Sequence, residues 1–223
     1  MTRKRPTWRA TSRPTGRRWI GIALGAALLV AGCAGGRQLL TQEETPRDVN
    51  WRRVATPQDR TRLRQWRQSW MAAVDRVKAD GAADQLVNEP QLYDPDRMLT
   101  DAGLAEGRYR CRMTKLGGRD PAAAAVAVRD WTQCRVEMSA GRRTLSIDGA
   151  QRLHGYLFDQ DDTRQVFLGT LAFEDETRAM RYGRDAKRDT AGFVERIGTA
   201  RWRLILPFPA FESTLDIIEI VPV

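Results

Sequence analysis

From Gly107 to the C-terminus, apolar residues recur at every second position, and short turn signals interrupt them every several residues. A period of two places alternate side chains on opposite faces, so this part of the chain reads as β-structure with one buried face. Strands are expected over 107–116, 130–139, 143–148, 152–158, 164–172, 191–197, 201–206 and 213–221. Asp148-Gly149 is the strongest hairpin signal, because both positions tolerate positive φ. Ala140-Gly141, 159–162 and Gly198-Thr199 supply further turns. About eight short antiparallel strands in a meander are most economically closed into a barrel, which removes free sheet edges. The rival arrangement is a two-sheet sandwich. Pro121–Val128 reads as a loop or helical turn bridging the first two strands, and Glu174–Tyr182 as a short helix.

Ahead of the strands the period lengthens. Thr56-Pro57-Gln58-Asp59 is a helix start, with a capping hydroxyl, a proline where its missing N–H costs nothing, and an acid at the positive end of the dipole. Leu63, Trp66, Trp70, Val74 and Val77 then form one apolar stripe, ending at Gly81. This spacing predicts one helix that braces the β domain. A short helical segment is expected near 97–102, and Asp94 and Asp96 read as turn residues. The expected fold is therefore mainly β with an N-terminal α-helix.

The formal charge of +9 suggests a polyanion binder until the charges are located. Residues 1–32 hold seven of the 37 Lys and Arg and no acid, so the remaining chain carries 30 basic against 28 acidic residues. A nucleic-acid partner needs a concentrated positive field, and this distribution supplies none. The basic leader, the apolar run Ile20–Ala31 and the small residues before Cys33 have instead the layout of an export signal. The run is about 12 residues, short of the roughly 20 needed to span a bilayer. Leu29-Val30-Ala31-Gly32-Cys33 resembles a bacterial lipobox, which implies cleavage before Cys33 and acylation of that residue. Several acyl chains would anchor the protein stably in a membrane. Ala34 after the cysteine favours the outer membrane, with the domain facing the periplasm or exterior. The expected organisation is a signal peptide over 1–32, a lipidated cysteine and tether over 33–50, and one domain over 51–223. An uncleaved signal anchor is the competing reading. Arg17-Arg18 also resembles part of a twin-arginine signal.

With Cys33 acylated, Cys111 and Cys134 remain as an even pair in an oxidising compartment, on alternating strands that could face one interior. A disulfide is expected, with two buried thiols as the alternative. No metal or cofactor is implied, since two cysteines and the sole histidine, His154, fall short of a zinc ligand set.

Asn50 to Pro57, Val166 to Ala172, Tyr182-Gly183-Arg184-Asp185 and Trp202-Arg203-Leu204 to Phe211-Glu212-Ser213 together resemble a domain-of-unknown-function family of bacterial secreted proteins and lipoproteins. The resemblance covers roughly residues 48–223. It implies a single domain and transfers no activity.

Candidate binding residues are His154 and Tyr156 on one strand, and Tyr182, Arg184, Asp185 and Arg188 in a segment rich in both charges. No nucleophile elbow or phosphate loop is present, and no catalytic residue is assigned. A hydroxyl–imidazole set using Ser146 or Ser213 remains conceivable only if the fold assembles it. Arg108, Arg110 and Arg112 line one outward face of the first strand. The leading functional reading is a lipid-anchored, non-enzymatic interaction or structural module of the bacterial envelope, bound to the membrane through Cys33 and to an envelope protein. The alternatives are a lipocalin-like carrier of a small apolar or amphipathic ligand, and a periplasmic hydrolase.

Overall fold

The computed structural model describes residues 50–173, 176 and 178–223. The expected export signal, Cys33 and nearly all of the expected tether lie outside the described residues. Among the described residues, nine strands follow five helices: α1 (Trp51–Val54), α2 (Pro57–Arg64), α3 (Trp66–Ala79), α4 (Asp84–Val87), α5 (Pro90–Tyr93), β1 (Gly107–Gly118), β2 (Val126–Val128), β3 (Thr132–Ser139), β4 (Arg142–Ile147), β5 (Gln151–Asp161), β6 (Arg164–Phe173), β7 (Asp189–Gly198), β8 (Arg201–Pro207) and β9 (Ser213–Pro222). Every pairing is antiparallel, and β1 closes onto β9 with Cys111 opposite Ile220 and Leu116 opposite Leu215. The result is the closed eight-stranded barrel expected from the meander, with β2 as an additional strand, and the sandwich does not form.

The alternation of side chains sorts three apolar clusters. Tyr109, Cys111, Cys134, Val136, Leu145, Leu157, Phe167, Leu204 and Ile218 belong to the cluster that fills the barrel. The expected disulfide joins Cys111 to Cys134 inside it, with 5.9 Å between their Cα atoms. Outside the wall, Trp70, Ala73 and Val77 of α3 pack on Leu116, Ile205, Leu215 and Ile217. Leu63 of α2, with Trp51, packs on Val166, Leu168 and Phe193. A helical jacket therefore covers one side of the barrel.

Four details differ from expectation. The single helix is broken at Gln65, whose N–H bonds back to Arg62 and Thr61 carbonyls. Leu63 and Trp70 serve different clusters on a curved wall, and one straight stripe could not meet both. The start is as expected, with Thr56 accepting the Asp59 N–H at 3.2 Å. The 97–102 segment is not helical. Leu99 instead makes an isolated bridge with Arg196, and the helical turns fall earlier, at α4 and α5. Within the expected 121–128 insert, Val126–Val128 pairs with Leu116–Thr114 as β2. The expected helix over 174–182 is likewise not formed among its described residues, 176 and 178–182.

Candidate functional site

The long strand β1 changes partner halfway. Gly107–Cys111 pairs with β3, and Thr114–Leu116 pairs with β2. Between them Arg112 and Met113 have no ladder partner on this side, except that the Met113 carbonyl accepts the Arg129 N–H at 2.8 Å. Residues 129–131 stand opposite these two, one residue more than β1 supplies, and border a cleft together with the β4–β5 turn at Asp148-Gly149. The parted wall leaves a cleft of about 420 Å³. Cys111, Met113, Ile147 and Ile218 line its depth, where it meets the barrel's filling; Arg129, Asp130, Trp131, Asp148, Gln151 and Glu212 form its rim.

Trp131 is exposed at the lip, and the guanidiniums of Arg110 and Arg112 lie 5.0 and 4.7 Å from its ring centre. Stacked cations of this kind hold an indole in place while leaving an edge accessible. Glu212 ties the rim to the strap that joins β8 to β9. Its carboxylate lies 3.3 Å from Lys115 and 3.4 Å from Arg129, and it accepts from Gln151 at 3.3 Å. Phe208 and Glu212 at the ends of the strap have φ of 46° and 64°, sparsely populated for residues with a Cβ. Beneath the strap, Lys115 donates to Asp216 at 3.1 Å, and Ser213 Oγ donates to the same carboxylate. Burial pushes the Asp216 carboxyl above its ordinary range, although Lys115 and Ser213 pull it down.

The sequence-derived candidates do not converge on this cleft. His154 is exposed on the outer wall, where its Nδ1 is 2.9 Å from Ser146 Oγ. Among the described residues no carboxylate bonds to the imidazole, so the pair lacks the orienting acid of a hydrolytic triad. Ser213 is committed to Asp216. Tyr156, two residues from His154, lies half-buried under Arg142, 5.7 Å from its ring centre. Tyr182 is elsewhere: its hydroxyl donates to buried Asp59 at 2.6 Å and accepts the Thr56 N–H at 3.0 Å. Asp59 also accepts from Arg62 at 2.7 Å, and Arg62 donates to the Asp189 carbonyl at 2.6 Å, so that α2 is fastened to the 182–189 loop. Burial, then the Asp59 bond, drive the Tyr182 phenol well above its ordinary value. Arg188 pairs with Glu176 and lies 3.6 Å from Asp185, while Asp185 also accepts the Lys187 N–H at 2.9 Å. Arg184 is exposed beside this internally paired loop.

Trp131, Glu212 and the Lys115–Asp216 pair were not singled out from sequence. The legible signal was charge complementarity at inward positions of the first and last strands. Lys115 follows Tyr109, Cys111 and Met113 on one face, and Asp216 precedes Ile218 and Ile220.

Fold and site define a helix-jacketed, closed antiparallel barrel with a side-chain-filled interior and an apolar cleft in its wall. The family model for a domain of unknown function (DUF4893) matches residues 51–220, and the chain belongs to that family. No curated protein matches the chain.

Proposed function

We propose that the protein is a lipid-anchored, non-enzymatic binding module of the bacterial envelope, and that its cleft takes the apolar end of a small amphipathic molecule. The anchor rests on the lipobox-like residues ending at Cys33. The disulfide suits an oxidising compartment. The observation that carries the binding role is the cleft, which joins an apolar floor at Met113, Ile147 and Ile218 to polar groups at Gln151, Glu212 and Arg129. Its volume falls within the usual range for small-molecule sites, roughly 300–1,000 Å³. The filled interior argues against a deep calyx, so a ligand would enter only in part and leave its head at the rim.

Native mass spectrometry of residues 50–223 with a single-chain amphipath such as lauric acid or dodecyl maltoside tests the cleft. A retained ligand mass is expected, and Met113→Trp, which fills the cleft, should abolish it. No retained mass for either probe, or retention unchanged in Met113→Trp, overturns the reading. The anchor is tested separately by the mass of the N-terminal peptide from cells: an acylated Cys33 supports it, and an intact leader with an unmodified thiol refutes it.

A further inference from the structure

Among the described residues, the outward side chains on the first half of β1 and on β3, among them Arg108, Arg110, Arg135 and Glu137, are exposed. Arg108 and Arg135 are directly opposite across β1 and β3, on the same face, and both are exposed. Like charges in directly opposed positions cost a sheet stability. Arg110 continues the row and stacks on Trp131, as does Arg112. The acids on this face neutralise only part of it. Glu137 is 3.4 Å from Arg135, and Glu219 pairs with Arg112 at 2.8 Å. Neither Arg108 nor Arg110 pairs with an acid among the described residues.

Apolar surface lies beside these cations. Trp131 is 37% exposed, and Val128, opposite Thr114 on β2, is 53% exposed. A soluble polyanion would engage the arginines and leave both apolar groups in water. An interface of phosphate headgroups over acyl chains satisfies both, because arginine stems cross apolar surface and indoles settle at the headgroup level.

We propose that the β1–β3 outer face, through Arg108, Arg110 and Arg135 with Trp131 and Val128, docks on an anionic phospholipid surface. The guanidiniums take headgroup phosphates, and the indole and valine meet the upper acyl region. Residues 34–49 can span at most roughly 55 Å, so an anchored Cys33 leaves this face free to reach its own bilayer. The docking does not rest on the anchor, and of its residues only Trp131 belongs also to the cleft's rim.

The three apolar clusters of the described residues lie within residues 51–220, so residues 50–223 carry a folding core. This fragment is tested by co-sedimentation with vesicles of phosphatidylcholine alone and of phosphatidylcholine with phosphatidylglycerol. Binding to the anionic vesicles only is expected, lost as salt approaches 1 M, where the screening length is about 3 Å. Arg108→Ser with Arg110→Ser should weaken it by roughly fivefold per arginine, while the Lys replacements retain it. Trp131→Ser should weaken binding and leave its salt dependence unchanged. Circular dichroism establishes that each variant is folded. Equal binding to neutral vesicles, full binding by the double serine variant, or binding to soluble dextran sulfate without binding to vesicles overturns the proposal. The Met113→Trp cleft variant should still bind vesicles, which separates this surface from the cleft.

Discussion

Arg203 of β8 and Glu195 of β7 face each other beneath the helical jacket with neither side chain reaching water. Glu195 Oε2 accepts from Arg203 Nη2 at 2.6 Å and from Nε at 2.9 Å. The remaining donors reach the Leu92, Asp94 and Arg97 carbonyls at 2.7–2.9 Å, and the guanidinium lies 4.9 Å from the Trp70 ring centre. Glu195 Oε1 in turn accepts from Arg164 at 2.6 Å. One side chain thus satisfies the irregular backbone after α5 and ties it to the barrel. Burial lowers the Arg203 pKa, yet the facing carboxylate favours its charged form. Replacing Arg203 with Met leaves the buried Glu195 Oε2 and three carbonyls without these donors. A loss of about 3–5 kcal/mol is expected from urea denaturation, the range for breaking a buried pair.

Gly155 and Gly169 are opposite each other in β5 and β6, and the ring of Phe167 lies against both. A Cβ on Gly169 would come within 2.4 Å of that ring and 2.7 Å of the His154 carbonyl oxygen. Backbone on one side and a fully buried ring on the other leave no room to yield. Gly169→Ala should cost about 1–3 kcal/mol, the range for overpacking, read as a lower denaturation midpoint.

The Cys111–Cys134 bond joins positions 23 residues apart inside the barrel cluster. In the chain-entropy model its removal costs about 3 kcal/mol. Cys111→Ser with Cys134→Ser should therefore lower stability by that order under oxidising conditions. Under thorough reduction the same variant should differ much less from the parent chain, and calorimetry in both conditions measures this.

Asp189 links pH to stability. Burial holds its carboxyl above the ordinary range, the Asp59 and Asp185 charges add to this, and the Gly183 N–H bond opposes it. The folded state therefore keeps this proton more tightly than the unfolded chain does. Stability contributed by that proton is present below the unfolded value, near pH 4, and is lost as pH rises through the folded value. Asp189→Asn escapes this loss and can still accept the Gly183 bond. Its stability relative to the parent should improve from about pH 4 toward neutrality, as read from urea midpoints at several pH values. A difference that stays flat or falls over that interval would contradict the assignment.

Much of this architecture was visible along the chain. The period of two from Gly107 placed Tyr109 with Cys111 and Cys134 with Val136 on shared faces, and the antiparallel pairing of β1 with β3 then brought both sulfurs into one interior. The Thr56 cap is likewise a local matter of φ, ψ and one hydroxyl. The cleft was not visible, because it arises from β1 leaving β3 for β2 at Arg112–Met113, a change of partner with no signature in either strand's own residues. His154, singled out as the sole imidazole, stands exposed on the opposite face of its strand from the barrel filling. Tyr182 and Arg188 turned out to fasten a loop, since their partners Asp59 and Glu176 are set by tertiary approach or loop geometry.

Alternation, turn residues and capping groups determined by themselves that this chain forms a strand meander with helices ahead of it, because each depends on neighbours a few positions apart. Only the tertiary structure decided which side of the barrel the helices cover, where the wall parts, and that Arg203 spends its charge on a loop a hundred residues away. Those outcomes depend on which distant surfaces exclude water together, and no local pattern encodes that.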